Sequence, residues 1–297
     1  MKKQPNSKNN LDRSILRYAQ SDIRAVALRT ELANVIVAQM IGDGVVKGGT
    51  GLKFRYGDLA TRVTTDLDTA YRQSLDSFIV NLKKRLADGW SGFTGELWVR
   101  PMASPKGIPF DYVMQPCDVK LSYLGTSWFT VALEIGHNEI GDADSCDEVV
   151  VPAEIAGLLD HLALPSIDSL RVMKLEYQIA QKLHGATGLN SDRAHDLIDL
   201  QLILAHTRPD FATTRAICQK LFAYRKCQSW PAIVVKNEKW ETVYEAQKGD
   251  LPVLPTVDEA VAWANDLIAR IDAAKEGGRI TVLRARTERA AYKLSSS

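Results

Sequence analysis

Cysteine is scarce and unpatterned in this sequence: Cys117, Cys146, Cys218 and Cys227 form no C-x-x-C pair. That spacing excludes a thiolate metal ribbon and a disulfide scaffold, and the expectation is reduced thiols in a cytoplasmic protein. Histidine is equally thin, five residues with no H-x-x-x-H or H-E-x-x-H spacing, so a zinc centre is not expected. No uncharged apolar run approaches the roughly 18 residues of a membrane helix, and "MKKQPNSKNNLDRS" has no apolar signal core. A membrane partner is therefore not expected. The formal net charge is only +1, which supplies no bulk basic field; a nucleic-acid partner would have to be held by local patches.

What is present is an ordinary globular composition, 45% hydrophobic and 25% charged, in a chain long enough for two modest units. The first dozen residues read as a frayed polar end. Apolar residues recur at helical spacing from Ser14 to Met40, and the glycines at 42 and 44 end that helix. "VVKGGT" reads as a short buried strand entering a turn, followed by a brief helix from Thr50 to Tyr56. "TRVTTDLDTAY" alternates like a strand, and residues 72–88 return to helical period. "GELWVRPM", "DVKLSYL" and "SWFTVALEIG" are three further strand-like runs. Beyond residue 152 the segments, including "SLRVMKLEYQIAQKLHGA", look helical, with "WPAIVVK" as the one β-type exception. The expected architecture is α+β: a unit over 1–151 with an N-terminal helix, then a mostly helical unit over 152–297.

The informative stretch is "GVVKGGTGLKFRYGDLATRVTTDLDTAY", residues 44–71. It is not a P-loop, because Lys47 precedes its glycines, and Lys47 also breaks the dinucleotide fingerprint. "DADSC" at 142–146 fails as a calcium loop because its twelfth position is Ala153. Asp66 and Asp68, two apart on a strand, project from one face. Two carboxylates so close repel, and burying them calls for a counter-charge; hard oxygen ligands of this kind suit Mg²⁺ or Mn²⁺. Two solvated acids at a strand end are the competing reading. The turn ahead of them bears on the choice. Gly48 and Gly49 allow close backbone approach, and the free N–H groups of a helix starting at Thr50 favour phosphate. A phosphate cradle followed by an acid pair is a workable nucleoside triphosphate site.

These residues resemble the AbiEii/AbiGii-type toxin nucleotidyltransferases, a branch of the polymerase β-like superfamily. The matches are Lys47, Gly48, Gly49, Thr50 and Leu52, then Arg62, Thr64, Asp66, Leu67 and Asp68. In the helical half, Gln178 and Lys182 match the family's Gln-x-x-x-Lys element, and Arg193, Asp196 and Asp199 its Arg-x-x-Asp-Leu-x-Asp element. The ordered set spans about residues 40–205. Gly51 departs from the family's usual alanine or serine, and the segment between Gly49 and Asp66 is slightly long.

The resemblance implies a polymerase β-like core, a mixed sheet with flanking helices, and transfer of a nucleoside monophosphate from an NTP to a hydroxyl. It implies metal ligation by Asp66, Asp68 and a third carboxylate, chosen as Glu134 because it interrupts an apolar β-run, with Glu96 as competitor. Lys47, Gly48, Gly49, Thr50, Arg62 and Arg193 are the expected nucleotide-binding residues. Lys182 and Asp196 complete the catalytic set, Lys182 neutralising triphosphate charge while Arg193, Asp196 and Asp199 orient it or close the nucleotide cleft; ordinary helix-surface ion pairs and a solvated lysine are the competing reading. The implied partners are an NTP, an RNA acceptor such as the tRNA 3′ end, and a cognate antitoxin or transcriptional regulator. "QKLFAYRK" and the tail "RITVLRARTERAAYK" are basic enough for RNA, although solvated helical faces explain them equally well. A small-molecule or protein acceptor, or a non-catalytic binding module on the same scaffold, remain the alternatives.

Overall fold

A computed structural model describes residues 3–103 and 113–275. Its centre is a seven-stranded mixed sheet built from β1 (Val45–Lys47), β2 (Leu67–Ala70), β3 (Phe93–Val99), β4 (Gln115–Tyr123), β5 (Thr126–Gly136), β6 (Cys146–Val150) and β7 (Ser169–Met173). The strand order is β3-β4-β5-β2-β1-β7-β6, with β2 parallel to β5 and β1 parallel to β7. Strict alternation in β4 buries Gln115, Cys117, Val119, Leu121 and Tyr123 on one face and leaves the other face open.

The buried face is covered by helices. α1 (Lys8–Ala19) and α2 (Asp22–Met40) replace the single helix expected over Ser14–Met40, and the chain end expected to fray is helical from Lys8. The physical reason is capping. Ser7 accepts from the Asn10 N–H and starts α1; Gln20 takes a left-handed φ of 61° and ends it; Ser21 then caps α2 by accepting from Arg24. α2 carries Leu28, Leu32, Val35 and Ile36, all fully buried, across β5 and β7. α4 (Leu75–Asp88) and α5 (Ala153–His161) complete this layer.

Two more expectations are corrected. "TRVTTDLDTAY" is a strand only over Leu67–Ala70; residues 61–66 are irregular because they cross from α3 (Gly48–Tyr56) and the 3-10 turn at Asp58–Ala60 into the sheet. "SLRVM" is strand β7 rather than the start of a helix. Its Leu170, Val172 and Met173 are buried while Ser169 and Arg171 are half-buried, a run too short for periodicity to separate from a helix. The sheet therefore continues past the 151/152 boundary expected from the sequence. "WPAIVVK" forms no strand.

From Leu175 onward the chain is helical: α6 (Leu175–Ala186), α7 (His195–His206), α8 (Phe211–Arg225), α9 (Trp240–Lys248) and α10 (Val257–Asp272). They share a second core around Ile179, Leu183, Leu197, Trp240 and Leu267, which Leu52 of α3 and Ile140 join from the sheet side. α3 is thus wedged between both cores, with its N-terminus held at the junction. The basic tail from 276 onward lies outside the described residues.

Candidate active site

Strand register assembles the site. Lys47 of β1 lies opposite Asp68 of β2, and Asp68 pairs with Glu134 of β5. Directly paired residues share a face, so a lysine and two carboxylates form one row across three strands. Asp66 sits two residues before Asp68 and is exposed at the mouth. Burial pushes the Asp68 carboxyl up; Lys47, Lys182 and Arg193 pull it down, and Asp66 pushes it up again. Glu134 is also raised, by burial and then by Asp68 and Asp66. Desolvation and mutual repulsion thus act on the same side chains.

The glycine turn fits around this row. Gly48 has φ +65°, and a Cβ there would lie 2.0 Å from Asp68 Oδ2, so the carboxylate packs directly on the backbone. Gly49 lies under Arg62 and Thr64, whose atoms would stand 3.1–3.2 Å from an added Cβ. No side chain caps α3 and no acid lies in its first turn, which leaves N–H groups and the positive end of the helix dipole for an anion. The Thr50 hydroxyl is already engaged, donating to the Asp66 carbonyl at 2.6 Å. What Thr50 can offer a ligand is its backbone.

The helical half contributes a continuous ionic chain. Arg62 Nε donates to Asp199 (3.0 Å), Lys182 Nζ to Asp199 (2.6 Å) and Asp196 (3.3 Å), and Arg193 Nε to Asp196 (2.5 Å). Lys182, Asp196 and Asp199 are all buried, whereas Arg193 is half exposed. Burial pushes the Asp196 carboxyl up, but Arg193 and Lys182 beside it hold it well below the usual carboxylate range. Gln178 anchors this helix to the sheet by donating to the Met173 carbonyl at 2.9 Å. With three cations and two anions, the chain turns net positive charge toward Asp68.

Sequence and fold now meet a third observation: the family model described as "Nucleotidyl transferase AbiEii toxin, Type IV TA system" matches residues 28–271. The chain belongs to the AbiEii nucleotidyltransferase toxin family. Its fold is similar to that of MenT4, a nucleotidyltransferase toxin from Mycobacterium tuberculosis H37Rv, with TM-score 0.50 and 17% identity over 90% of this chain and 98% of that one. JHP933 from Helicobacter pylori matches with TM-score 0.44 and 14% identity, over 85% of this chain and 93% of the other. An antigenic nucleotidyltransferase-like protein from Paracoccidioides brasiliensis matches with TM-score 0.38 and 17% identity, over 67% and 94%. No curated protein matches the sequence.

For an AbiEii enzyme, the acid row is an open arrangement. Among the described residues no group of three His, Cys, Asp or Glu is close enough to hold a metal by itself. Glu96, the competitor for third carboxylate, lies on β3 opposite Lys120 and accepts from Trp98 at 3.2 Å, away from the row. Two residues at the site had no signal in the sequence. A Cβ on Gly136 would stand 2.7 Å from Lys47 Nζ, so this glycine makes room for the lysine beneath the acids. Asp142 is fully buried near it; Gln181 donates to its Oδ2 at 2.7 Å, and its Oδ1 has no partner. Burial raises that carboxyl to about 6 against the pull of Lys47. Neither of two open clefts on the helical half, about 510 and 520 Å³, contains any of these acids.

Proposed function

We propose that this AbiEii nucleotidyltransferase moves a nucleoside monophosphate from an NTP to a hydroxyl at the 3′ end of an RNA, tRNA by preference, in the cytoplasm. We further propose that a cognate antitoxin restrains it. A core unit over 1–151 carries the acids, and a helical unit over 152–297 closes the nucleotide cleft while returning β7 to the sheet. The observation that carries the reading is the row Lys47–Asp68–Glu134 laid against the uncapped start of α3.

The residues fit a divalent ion. Asp68 packs on a glycine that no Cβ crowds, its charge is poorly tolerated where it stands, and all the donors are hard oxygens. Asp66, Asp68 and Glu134 would hold Mg²⁺ or Mn²⁺ together with phosphate oxygens, as Mg²⁺ sites that rely on one or two carboxylates do. The ion, when bound, would supply charge neutralisation at the phosphoryl oxygens.

The remaining chemistry belongs to the chain. The backbone N–H groups at Gly49 and Thr50 seat the triphosphate at the helix start. Arg193 is the accessible cation of the ionic chain, and Lys182 contributes charge through space from its place between Asp196 and Asp199. Arg62 braces the irregular segment leading to Asp66. In the transfer, the acceptor oxygen forms a bond to the α-phosphorus as the bond to the β-phosphate bridging oxygen breaks. Glu134, its proton affinity raised by burial and by Asp68 and Asp66, takes the hydroxyl proton, and pyrophosphate leaves along α3.

The deciding experiment incubates the protein with each α-labelled NTP, Mg²⁺ and total RNA, then sizes the labelled products. Label on RNA that vanishes with EDTA and in Asp66→Ala is the expected result. Label on a protein or small molecule would replace the acceptor, and transfer at wild-type rate by Asp66→Ala would remove the metal assignment.

A further inference from the structure

The acid row does not stop at Glu134. Glu134 pairs with Pro116 of β4, and the Arg100 N–H donates to the Pro116 carbonyl at 3.0 Å, so the same row continues to Arg100 beyond the end of β3. Arg100 is near enough to Glu134 to pull its carboxyl down against the acids beside it. One step along the strands, the next row on this face runs Ala132–Asp118–Trp98. Among the described residues no helix covers this part of the sheet: Trp98 is 53% exposed, and Pro116 and Ala132 leave a low floor between it and the acids.

A lone exposed tryptophan on an edge strand is unremarkable. This one has fixed geometry. Lys120 Nζ lies 3.6 Å from the ring centroid, and Glu96 accepts from its indole N–H at 3.2 Å, so ring orientation is set from both sides. Arg100 is likewise positioned, with Nε 3.6 Å from Asp118 and nearly half its side chain in solvent. Strands lie about 4.8 Å apart, so Arg100 is about 10 Å from Glu134, and Trp98 is about 7 Å further along β3. A single-stranded 3′ end covers that distance with its last few nucleotides.

We propose that this open sheet face docks the single-stranded 3′ end of the acceptor RNA. One base stacks on the face of Trp98 opposite Lys120, and Arg100 meets the phosphate between that base and the terminal nucleoside, whose hydroxyl lies at Glu134. The inference rests on RNA being the acceptor. Aromatic faces flanked by cations take unpaired bases with little regard to sequence, and a duplex cannot offer an unstacked base. The NTP and the acceptor thus approach from opposite ends of one row, over β1 and over β3.

The test measures binding of a short 5′-fluorescein RNA of mixed sequence, single-stranded and as a blunt duplex, by anisotropy. Alongside it, label transfer to total RNA is followed for wild type, W98T, W98F and R100Q. W98T and R100Q should each weaken single-strand binding about tenfold and raise KM for RNA, with KM for NTP and duplex binding unmoved. W98F, which keeps a ring, should stay close to wild type. R100Q, altered at the surface, carries the test if W98T melts early. Wild-type binding and KM in both W98T and R100Q, with RNA still labelled, would overturn the docking face and leave the RNA reading standing. A wild-type protein that neither binds nor labels RNA would overturn both.

Discussion

The two charged assemblies of this protein obey opposite rules. Where the 62–66 segment meets the helical half, Arg62, Asp199, Lys182, Asp196 and Arg193 alternate in sign, and every charge meets its opposite within 3.3 Å. On the sheet, Asp66, Asp68 and Glu134 form no ion pair within 4.0 Å with any described residue; Asp66 raises the proton affinity of Asp68, and Asp68 and Asp66 raise that of Glu134. The first assembly is complete as it stands and holds α6, α7 and the 62–66 segment in fixed relation. The second is left short of positive charge, which is the condition of a site that takes a cation and a polyanion together. Asp196 and Asp199, acids of the same family pattern, accordingly read as positioning groups for Lys182 and Arg62.

That contrast can be broken by substitution. The largest effect on folding is expected at Asp199→Ala, which leaves Arg62 without its carboxylate and takes from buried Lys182 the shorter of its two: a loss of about 3–5 kcal/mol in denaturant unfolding. Unchanged stability would mean the chain is dispensable. Asp68→Asn should do the reverse, lowering label transfer at least about a hundredfold while the melting temperature holds or rises, because a repelled charge is removed. A variant that melted early would place Asp68 among the structural acids. Gly48→Ala combines a left-handed backbone with a Cβ 2.0 Å from Asp68 Oδ2, and should cost about 1–2 kcal/mol and most of the transfer activity.

Glu31 sharpens the comparison from outside the site. Both its carboxylate oxygens are buried without partners; burial, with Asp58 adding, raises it to about 7. A carboxyl with a folded value above its unfolded 4.5 contributes stability fully present below 4.5 and lost as pH rises through about 7. Glu31→Gln should therefore gain about 1–3 kcal/mol over wild type near pH 8 and nothing near pH 4.5, read by denaturation at the two values. Equal pH slopes in both proteins would remove Glu31 as a titrating group. Asp196 has the opposite sign: its depressed carboxyl contributes stability above about 3.8 that is lost in stronger acid.

Much of the candidate site was legible because its residues are close in sequence or carry local rules. Lys47–Thr50 announce a turn and a helix start, whereas the shared face expected for Asp66 and Asp68 from strand period meets a strand that begins only at Leu67. Helix α6 places Gln178 and Lys182 on one side. What escaped reading depended on distant pairing. β7 is a short apolar run that fits a strand or a helix start alike, and only its pairing with β6 and β1 decides the matter. The break between α1 and α2 turns on one left-handed residue, Gln20, inside an otherwise helical period. Lys220 and Arg225, read as possible RNA contacts, are spent on the Ile140 carbonyl and on Glu139. Arg100 and Trp98 carry no motif at all.

By itself, the chain's order of residues determined that a glycine turn precedes an acid pair and that a lysine and two aspartates follow on helices, because local spacing dictates which side chains share a face. Only the tertiary structure decided that Lys47 stands beside Asp68 and Asp68 beside Glu134. It alone decided that Lys182 is locked between two aspartates, and that the acid row opens onto a sheet face that no described helix covers. Those relations come from strand register and helix packing across separations of up to about ninety residues, where no local rule of period or capping acts.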